Sequence, residues 1–522
     1  MMAWTWYICY FLVLLCLAGY GFHRLTIIYL YLKHRKDTPE PKGHFDELPV
    51  ITMQLPMYNE LHVVERLIQK VAEIDYPKDK LEIQVLDDST DETIEICKAQ
   101  VADLVSRGFD AVYIHRTDRT GYKAGALENG SKVAKGEFLF ILDADFMPHA
   151  DVLQKTIHYF TDDNVGMIQT RWGHLNRDFN MLTRIQAMFL DGHLELEQTA
   201  RNRSGRFFTF NGTGGMWRKS CIADAGGWEH DTLTEDMDLS YRAQLKGWNF
   251  VYLKDVETPA ELPVDMDGFK SQQHRWTKGS IQCCKKCLMN IWKSKAPLKA
   301  KMEATAHLTS NFAYLALIVL CFLIYPKQSA SLDWAFLQQN PWVEQLLNIP
   351  IFFFGSVSVA LFYLVAQKSL RPKTWYKEIF YLPVLIALGI GMSVNNAKAV
   401  LEALFNHESG FVRTPKYGID KPAKAGEVTE VAATAVAAPV AKKAWKASKY
   451  KAMKSLTPVV ELLFAIFFLV VVISNYTDAN YATAVLLTPF PIGFFYTSIP
   501  SLKRMLDGMF KNNVEESIDS GK

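Results

Sequence analysis

The sequence predicts a parallel α/β domain carried by a bundle of membrane-spanning helices. First, strand-like and helix-like segments alternate between Leu48 and about Leu253, the pattern of a parallel sheet covered by helices on both faces. Second, long apolar runs lie at the N-terminus and after about residue 305, of a length that crosses a bilayer. Third, residues 136–148 (GEFLFILDADFMP) join an unbroken apolar run, 138–142, to two carboxylates, Asp143 and Asp145. Such a run reads as a strand buried on both faces. Ligand crevices in open α/β sheets lie beyond the carboxyl ends of the strands, so these acids stand at the lip. Acids so spaced can share a hard divalent cation, and Mg²⁺ typically takes one or two carboxylates plus substrate phosphates.

The whole-chain balance narrows the class. A net charge of +2 with 21% charged residues in 522 fits neither a nucleic-acid binder nor a disordered chain. The eight cysteines form no disulfide framework, and several fall in apolar segments. Cys284 and Cys287 make a CxxC with no second ligand pair at zinc spacing. A reducing, cytosolic insert follows.

Residues 4–21 are uncharged, and basic residues come only afterwards, from His23 and Arg24 to Lys36. The positive-inside rule then places the N-terminus outside, and the charge order is that of an anchor rather than a cleaved signal. Expected strands are 50–55, 81–86, 111–115, 138–142 and 165–170, with helices opening at Glu60 and Glu92. Residues 269–301 are basic and amphipathic, the pattern of a helix lying in the membrane interface. Spans are expected at about 307–325, 348–365, 457–474 and 481–497. Residues 381–394 are apolar but flanked by basic loops on both sides, which predicts an interfacial or re-entrant helix and about five spans in all. Residues 427–440, rich in Ala and Val, read as a linker.

Several motifs sit at strand and helix ends. In LPMYNE, Tyr58 and Glu60 could hold a nucleobase by stacking and hydrogen bonding. In VLDDSTDET, Ser89 and Glu92 fit a capping box, whereas Asp87 and Asp88 are left to bind base or ribose hydroxyls. GYKAGAL opens a helix, where Lys123 can point at a diphosphate. FNGTGG, containing Gly212 and Thr213, is a turn that suits close backbone approach to a ligand. TEDMD opens another helix, where acids are already favoured by the dipole; Asp236 is the candidate to take a proton from an acceptor hydroxyl. In QQHRW, Trp276 can offer a flat face to a sugar while Gln272 and Arg275 hydrogen-bond hydroxyls or phosphate.

Taken in order, DDS, DAD, TED and QxxRW (87–89, 143–145, 234–236 and 272–276) resemble the signature of processive family 2 glycosyltransferases, the group of cellulose, chitin and hyaluronan synthases. The surrounding strings QVLDDSTD, GYKAGAL, FNGTGG, AGGW, EDMDL and QQHRW are most similar to plant cellulose-synthase-like mannan and glucan synthases and their bacterial relatives. FVRTPK, residues 411–416, resembles the FxVTxK gating loop of bacterial cellulose synthase, with Arg413 where that pattern has valine.

The resemblance implies a GT-A (Rossmann-like) domain inserted in an α-helical transmembrane bundle. It divides the chain into an anchor (1–47), the cytosolic domain (48–265), interfacial helices (266–306), transmembrane helices (307–410), a gating-type loop and linker (411–456) and a C-terminal hairpin (457–522). It implies that Tyr58, Glu60, Asp87, Asp88, Lys123, Asp143 and Arg275 bind a nucleotide sugar, and that Asp143 and Asp145 hold Mg²⁺ or Mn²⁺. Gly212, Thr213, Glu235, Gln272 and Trp276 would bind the acceptor, Asp236 would be the base, and Phe411, Thr414 and Lys416 would belong to the gating loop. The expected partners are a nucleotide-sugar donor, a growing β-glycan and a plasma (inner) or Golgi-type membrane, with no nucleic acid. The competing expectation is a non-processive enzyme adding one hexose to a lipid. A catalytically dead scaffold would require lost acids, and none is lost.

Overall fold

The computed structural model describes residues 2–328, 357–407, 414–419 and 456–519. Among these, seven strands form one sheet in the order β3-β2-β1-β4-β6-β5-β7: β1 Ile51–Met57, β2 Leu81–Asp87, β3 Asp110–His115, β4 Phe138–Ile141, β5 Val165–His174, β6 Gly215–Arg218 and β7 Asn249–Ala260. β1 runs parallel to both β2 and β4. The apolar runs read from the sequence are therefore the centre of the sheet, with every residue of β2 and β4 buried.

The sheet is mixed, not parallel throughout as expected. β6 runs antiparallel to β4 and to β5. The reversal is made by the FNGTGG turn, where Gly212 and Gly214 take φ of +83° and +66°, a region that side-chain-bearing residues avoid. A four-residue strand directly behind a glycine turn carries too little periodicity to be read from sequence, and β6 and β7 were not expected as strands.

Helices cover both faces. α1 is Met2–His34, α2 Val64–Val71, α3 Thr93–Ser106, α4 Tyr122–Val133, α5 Met181–Asp191, α6 Glu235–Leu245 and α7 Met266–Lys293. α2 shows why it docks: Val64, Leu67, Ile68 and Val71 are buried at i, i+3, i+4 and i+7. They join β1, β2 and β4 in one core, while Leu127, Ile141, Trp217 and Tyr252 anchor a second core containing α4 and α6 side chains. The expected capping box at Ser89 and Glu92 is absent. Ser89 instead accepts a hydrogen bond from the Asn59 N–H at 2.8 Å, joining the loops after β1 and β2.

α7, which carries QQHRW, is a packed element with a buried face that includes Phe269, Thr277, Ile281, Cys284 and Ile291. It is capped by Asp265, whose carboxylate accepts from the Gly268 N–H. Buried Lys270 in its first turns holds Glu461 of the 457–477 helix at 2.5 Å and donates to the Thr497 carbonyl at 2.8 Å. A buried charge needs such partners, so the helix bearing the indole is tied to two apolar helices at once.

Four helices among the described residues are long and apolar enough to cross a membrane: Ile8–His34, Trp375–Leu404, Thr457–Thr477 and Tyr481–Asp507. A fifth arises if Leu298–Thr309 and Phe312–Ile324, bent by 53°, form one span. Residues 381–394, read as interfacial or re-entrant, lie within the helical run Trp375–Leu404. That run extends beyond the apolar window at both ends. The run packs hard against the last span: a Cβ built on Gly493 would lie 1.9 Å from the Ala387 carbonyl oxygen, and one on Gly391 would lie 2.3 Å from that of Gly493. Only small residues allow such backbone contact. Of the span expected at 348–365, only the part within Ser358–Leu370 is described, and the linker at 427–440 lies outside the described residues.

Candidate active site

A cavity of about 220 Å³ opens beyond the carboxyl ends of β1, β2 and β4. Tyr58, Glu60, Asp88, Lys123, Asp143, Asp145, Gly212, Thr213, Glu235, Asp236, Gln272, Arg275, Trp276, Thr414 and Lys416 all line it. Separate elements thus converge from eight stretches of the sequence, as the strand-end argument required. One expected residue among those described does not join them. Asp87 lies beneath the wall, fully buried, accepting from the Tyr113 hydroxyl at 2.7 Å and the Ser89 N–H at 2.9 Å. Its role is to fix the β2–β3 edge. Phe411, with Arg413, lies outside the described residues.

The two acids after β4 each hold a cationic side chain. Lys123, in the first turn of α4, donates to Asp143 Oδ1 at 2.5 Å and to the Gly212 carbonyl at 2.8 Å. Lys416 donates to Asp145 Oδ1 at 2.6 Å and lies 3.7 Å from Glu60. Burial opposes the Lys416 charge, but Asp145, Glu60 and Asp143 outweigh it and hold its ammonium well above the ordinary lysine range. A pair of hard oxygen donors that already binds ammonium groups, facing a cavity, fits Mg²⁺ or Mn²⁺. The other acid cluster among the described residues, Glu229, Asp231 and Asp238, is bridged by Lys286 and does not line this cavity.

α6 begins with Glu235 and Asp236, which line the same cavity. Burial, reinforced by the adjacent Glu235 carboxylate, pushes the Asp236 carboxyl up to about 7, although the Met237 N–H and Lys123 pull the other way. Burial also raises Glu235, against Lys123. Gly212 lies close to both Asp236 and Lys123. A Cβ there would meet Asp236 Oδ2 at 3.0 Å and Lys123 Nζ at 3.7 Å, on a backbone with φ +83°. Gly212→Ala therefore both strains the turn and shifts the two polar groups. It is expected to cut turnover by on the order of 10²-fold, as ångström-scale misplacement does, and steady-state assay of the variant checks this.

A family model described as "Glycosyltransferase like family 2" matches residues 49–279. Glucomannan 4-beta-mannosyltransferase 2 of Arabidopsis thaliana is 33% identical over 434 residues, covering 80% of this chain and 78% of that one. The chain belongs to glycosyltransferase family 2. Glucomannan 4-beta-mannosyltransferase 1 of Oryza sativa subsp. japonica is 40% identical over 285 residues, so the match spans about half of that relative's length (54%). Among solved structures, a mannosyltransferase of Pyrobaculum calidifontis, in complex with GDP-Man and Mn²⁺, superposes with a TM-score of 0.50 at 21% identity, covering 70% of this chain and 99% of that one. That likeness is one of fold, GT-A.

The family 2 site also contains residues that sequence reading missed. Arg119, Trp172 and Glu261 line the cavity. The Trp172 indole N–H donates to the Thr213 carbonyl at 3.1 Å, fixing the glycine turn from β5. Glu261, just after β7, accepts backbone N–H groups from Tyr417, Gly418 and Ile419 at 2.8, 2.9 and 3.1 Å. These bonds hold the segment that delivers Lys416. Burial pushes Glu261 up to about 7, opposed by the Tyr417 N–H. Its neighbours ELPVD gave no chemical signal, whereas TRWGH offered an indole at a strand's end that could have been weighed with Trp276.

Proposed function

We propose that this chain is a membrane-embedded, processive, inverting glycosyltransferase that builds a β-linked glucan, mannan or glucomannan from UDP-glucose or GDP-mannose and moves it across the bilayer. The carrying observation is Asp236, raised to about 7 and separated by Gly212 from the Lys123–Asp143 pair. A base poised near the working pH and next to a diphosphate-type site is what a single displacement needs.

In this reading the nucleotide lies toward Tyr58, Glu60 and Asp88, and its diphosphate toward Asp143, Lys123 and Arg275. Mg²⁺ or Mn²⁺ held by Asp143 and Asp145, when bound, would neutralise charge developing on the leaving diphosphate. The family 2 fold supports that role, and the Pyrobaculum mannosyltransferase was solved with Mn²⁺. Asp236 takes the proton of the acceptor hydroxyl as its oxygen bonds to the anomeric carbon. The bond from that carbon to the diphosphate oxygen breaks on the opposite face. Lys123 and Arg275 balance the departing charge. No second carboxylate need form a glycosyl-enzyme, so the product is the inverted, β-linked sugar. Gln272 and Trp276 hold the acceptor sugar at the face of α7 that leads to the apolar helices. We place the catalytic domain in the cytosol, the N-terminus outside, and the chain in a plasma (inner) or Golgi-type membrane.

Membranes containing the protein, supplied with UDP-glucose or GDP-mannose and Mg²⁺, are expected to make a polymer that endo-β-glucanase or endo-β-mannanase digests. Labelled lipids carrying a single hexose, with no polymer, would identify the non-processive lipid glycosyltransferase instead.

A further inference from the structure

We propose that the helical stretch Gly192–Gln198 is a coupling joint, through which Asp191 and Glu197 act as positioning residues that set the FNGTGG turn against the apolar helices. The inference rests on the catalytic reading above, in which Lys123 and Asp236 act on either side of Gly212. Directly after α5 the chain widens into π-helical geometry over Gly192–Gln198, a form found mostly as short insertions at functional sites. Gly192 permits a close approach there: a Cβ on it would stand 2.6 Å from the Phe362 ring and 2.8 Å from that of Tyr363.

Three acids of this stretch each grip a different set of partners. Asp191, buried, accepts from Gln367 at 2.9 Å and from Arg371 at 2.8 Å, at the end of the apolar helix Ser358–Leu370. Its other oxygen lies 3.0 Å from His174 Nε2. Burial opposes the Asp191 charge, but His174, Arg371 and Gln367 outweigh it and hold the carboxyl well below the ordinary carboxylate range. Glu195, also buried, accepts from the hydroxyls of Tyr31 on α1 and of Ser369, both at 2.7 Å. Glu197 lies 2.9 Å from His193 Nδ1 and 3.3 Å from Arg201, which donates to Glu303 at 2.9 Å. His23 of α1 stands 3.1 Å from that same Glu303 carboxylate. Apolar side chains of like volume would pack such helices as well or better, because buried charges are costly.

Two arms run from these acids to one place. His174 ends β5, just beyond Trp172, whose indole holds the Thr213 carbonyl. His193 Nε2 lies 3.3 Å from Asn211 Oδ1, which also accepts from the Gln198 amide at 2.9 Å. Both arms thus fix the turn in which the Gly212 carbonyl takes Lys123, and His174 and Asn211 line the cavity. A shift of the apolar helices reaches the reacting groups through these polar contacts.

Steady-state synthesis by the full chain in membranes, with UDP-glucose or GDP-mannose and Mg²⁺, tests this together with calorimetric titration of the purified full chain with UDP and GDP. Asp191→Asn keeps the shape and one oxygen for Gln367 and Arg371, and turns an amide N–H toward the imidazole. Its kcat should fall by about tenfold or more, toward the 10²-fold loss of ångström-scale misplacement, with donor KM and UDP or GDP affinity within about twofold. Glu197→Gln should behave alike on the second arm, and it carries the test if Asp191→Asn fails to fold. Arg371→Ala and His174→Ala lie on opposite sides of Asp191. Their combined loss in kcat should differ from the product of the single losses by about threefold or more, as coupled residues do. An unchanged kcat in either acid variant, losses that simply multiply in the Arg371–His174 pair, or nucleotide affinity falling in step with kcat would each overturn the proposal. A wild-type chain that binds neither UDP nor GDP would instead remove the nucleotide-sugar reading itself.

Discussion

Asp236→Asn is expected to abolish glycan synthesis while nucleoside diphosphate still binds. The amide fills the same volume and can still accept the Met237 N–H that now reaches Asp236 Oδ1 at 2.8 Å, so the start of α6 is preserved. What disappears is the proton acceptor, and general-base assistance is worth about 10²–10⁴-fold. The pH profile supplies the second half of the test. The carboxyl is raised to about 7 by burial and by Glu235, and only its deprotonated form can take the acceptor's proton. Activity therefore climbs as pH rises through about 7 and falls away below it. The asparagine variant should lack that limb in whatever activity remains. Turnover near the wild-type rate, or the same acid limb, would assign the base elsewhere.

Removal of Asp145 is expected to weaken donor binding by about 10- to 100-fold, in the range of altered metal sites. EDTA should stop the wild-type reaction, and added Mg²⁺ or Mn²⁺ should restore it. In Asp145→Ala the ammonium of Lys416 loses its 2.6 Å partner and keeps Glu60 at 3.7 Å, so the loop retains part of its hold while the ion loses half of its carboxylate pair. Titration with UDP or GDP, with and without Mn²⁺, separates the two effects. A metal-dependent gain in affinity as large in Asp145→Ala as in the wild type would show that this acid does not hold the ion.

Much of this site was legible because its residues sit where backbone direction changes. An apolar run ending in two acids fixes β4 and its crevice at once, and Lys123 and Asp236 each occupy the first turn of a helix aimed at it. What stayed hidden depends on contacts between distant segments. Asp87 and Asp88 are adjacent and look alike in sequence, yet alternation along β2 turns the first toward Tyr113 and leaves the second facing the cavity. Glu261 becomes a loop anchor only because residues 417–419 fold back onto it. The antiparallel β6 escaped notice for a related reason: its partners, β4 and β5, are far from it in sequence, and four residues carry no pattern of their own. Residues 381–394 were expected to be helical and are, but their glycine contact with the helix carrying Gly493 joins segments about a hundred residues apart and could not be read from sequence.

Lys123 and Lys416 each place an ammonium on one of the two acids that follow β4. Without such counterions, a pair of carboxylates in a partly dry cleft would repel each other and swell the strand end. With them, each of the two acids already has a protein cation as its partner. If the two acids take up Mg²⁺ or Mn²⁺ as proposed, the ion must displace those ammonium groups, and it would come and go with the nucleotide rather than rivet the architecture.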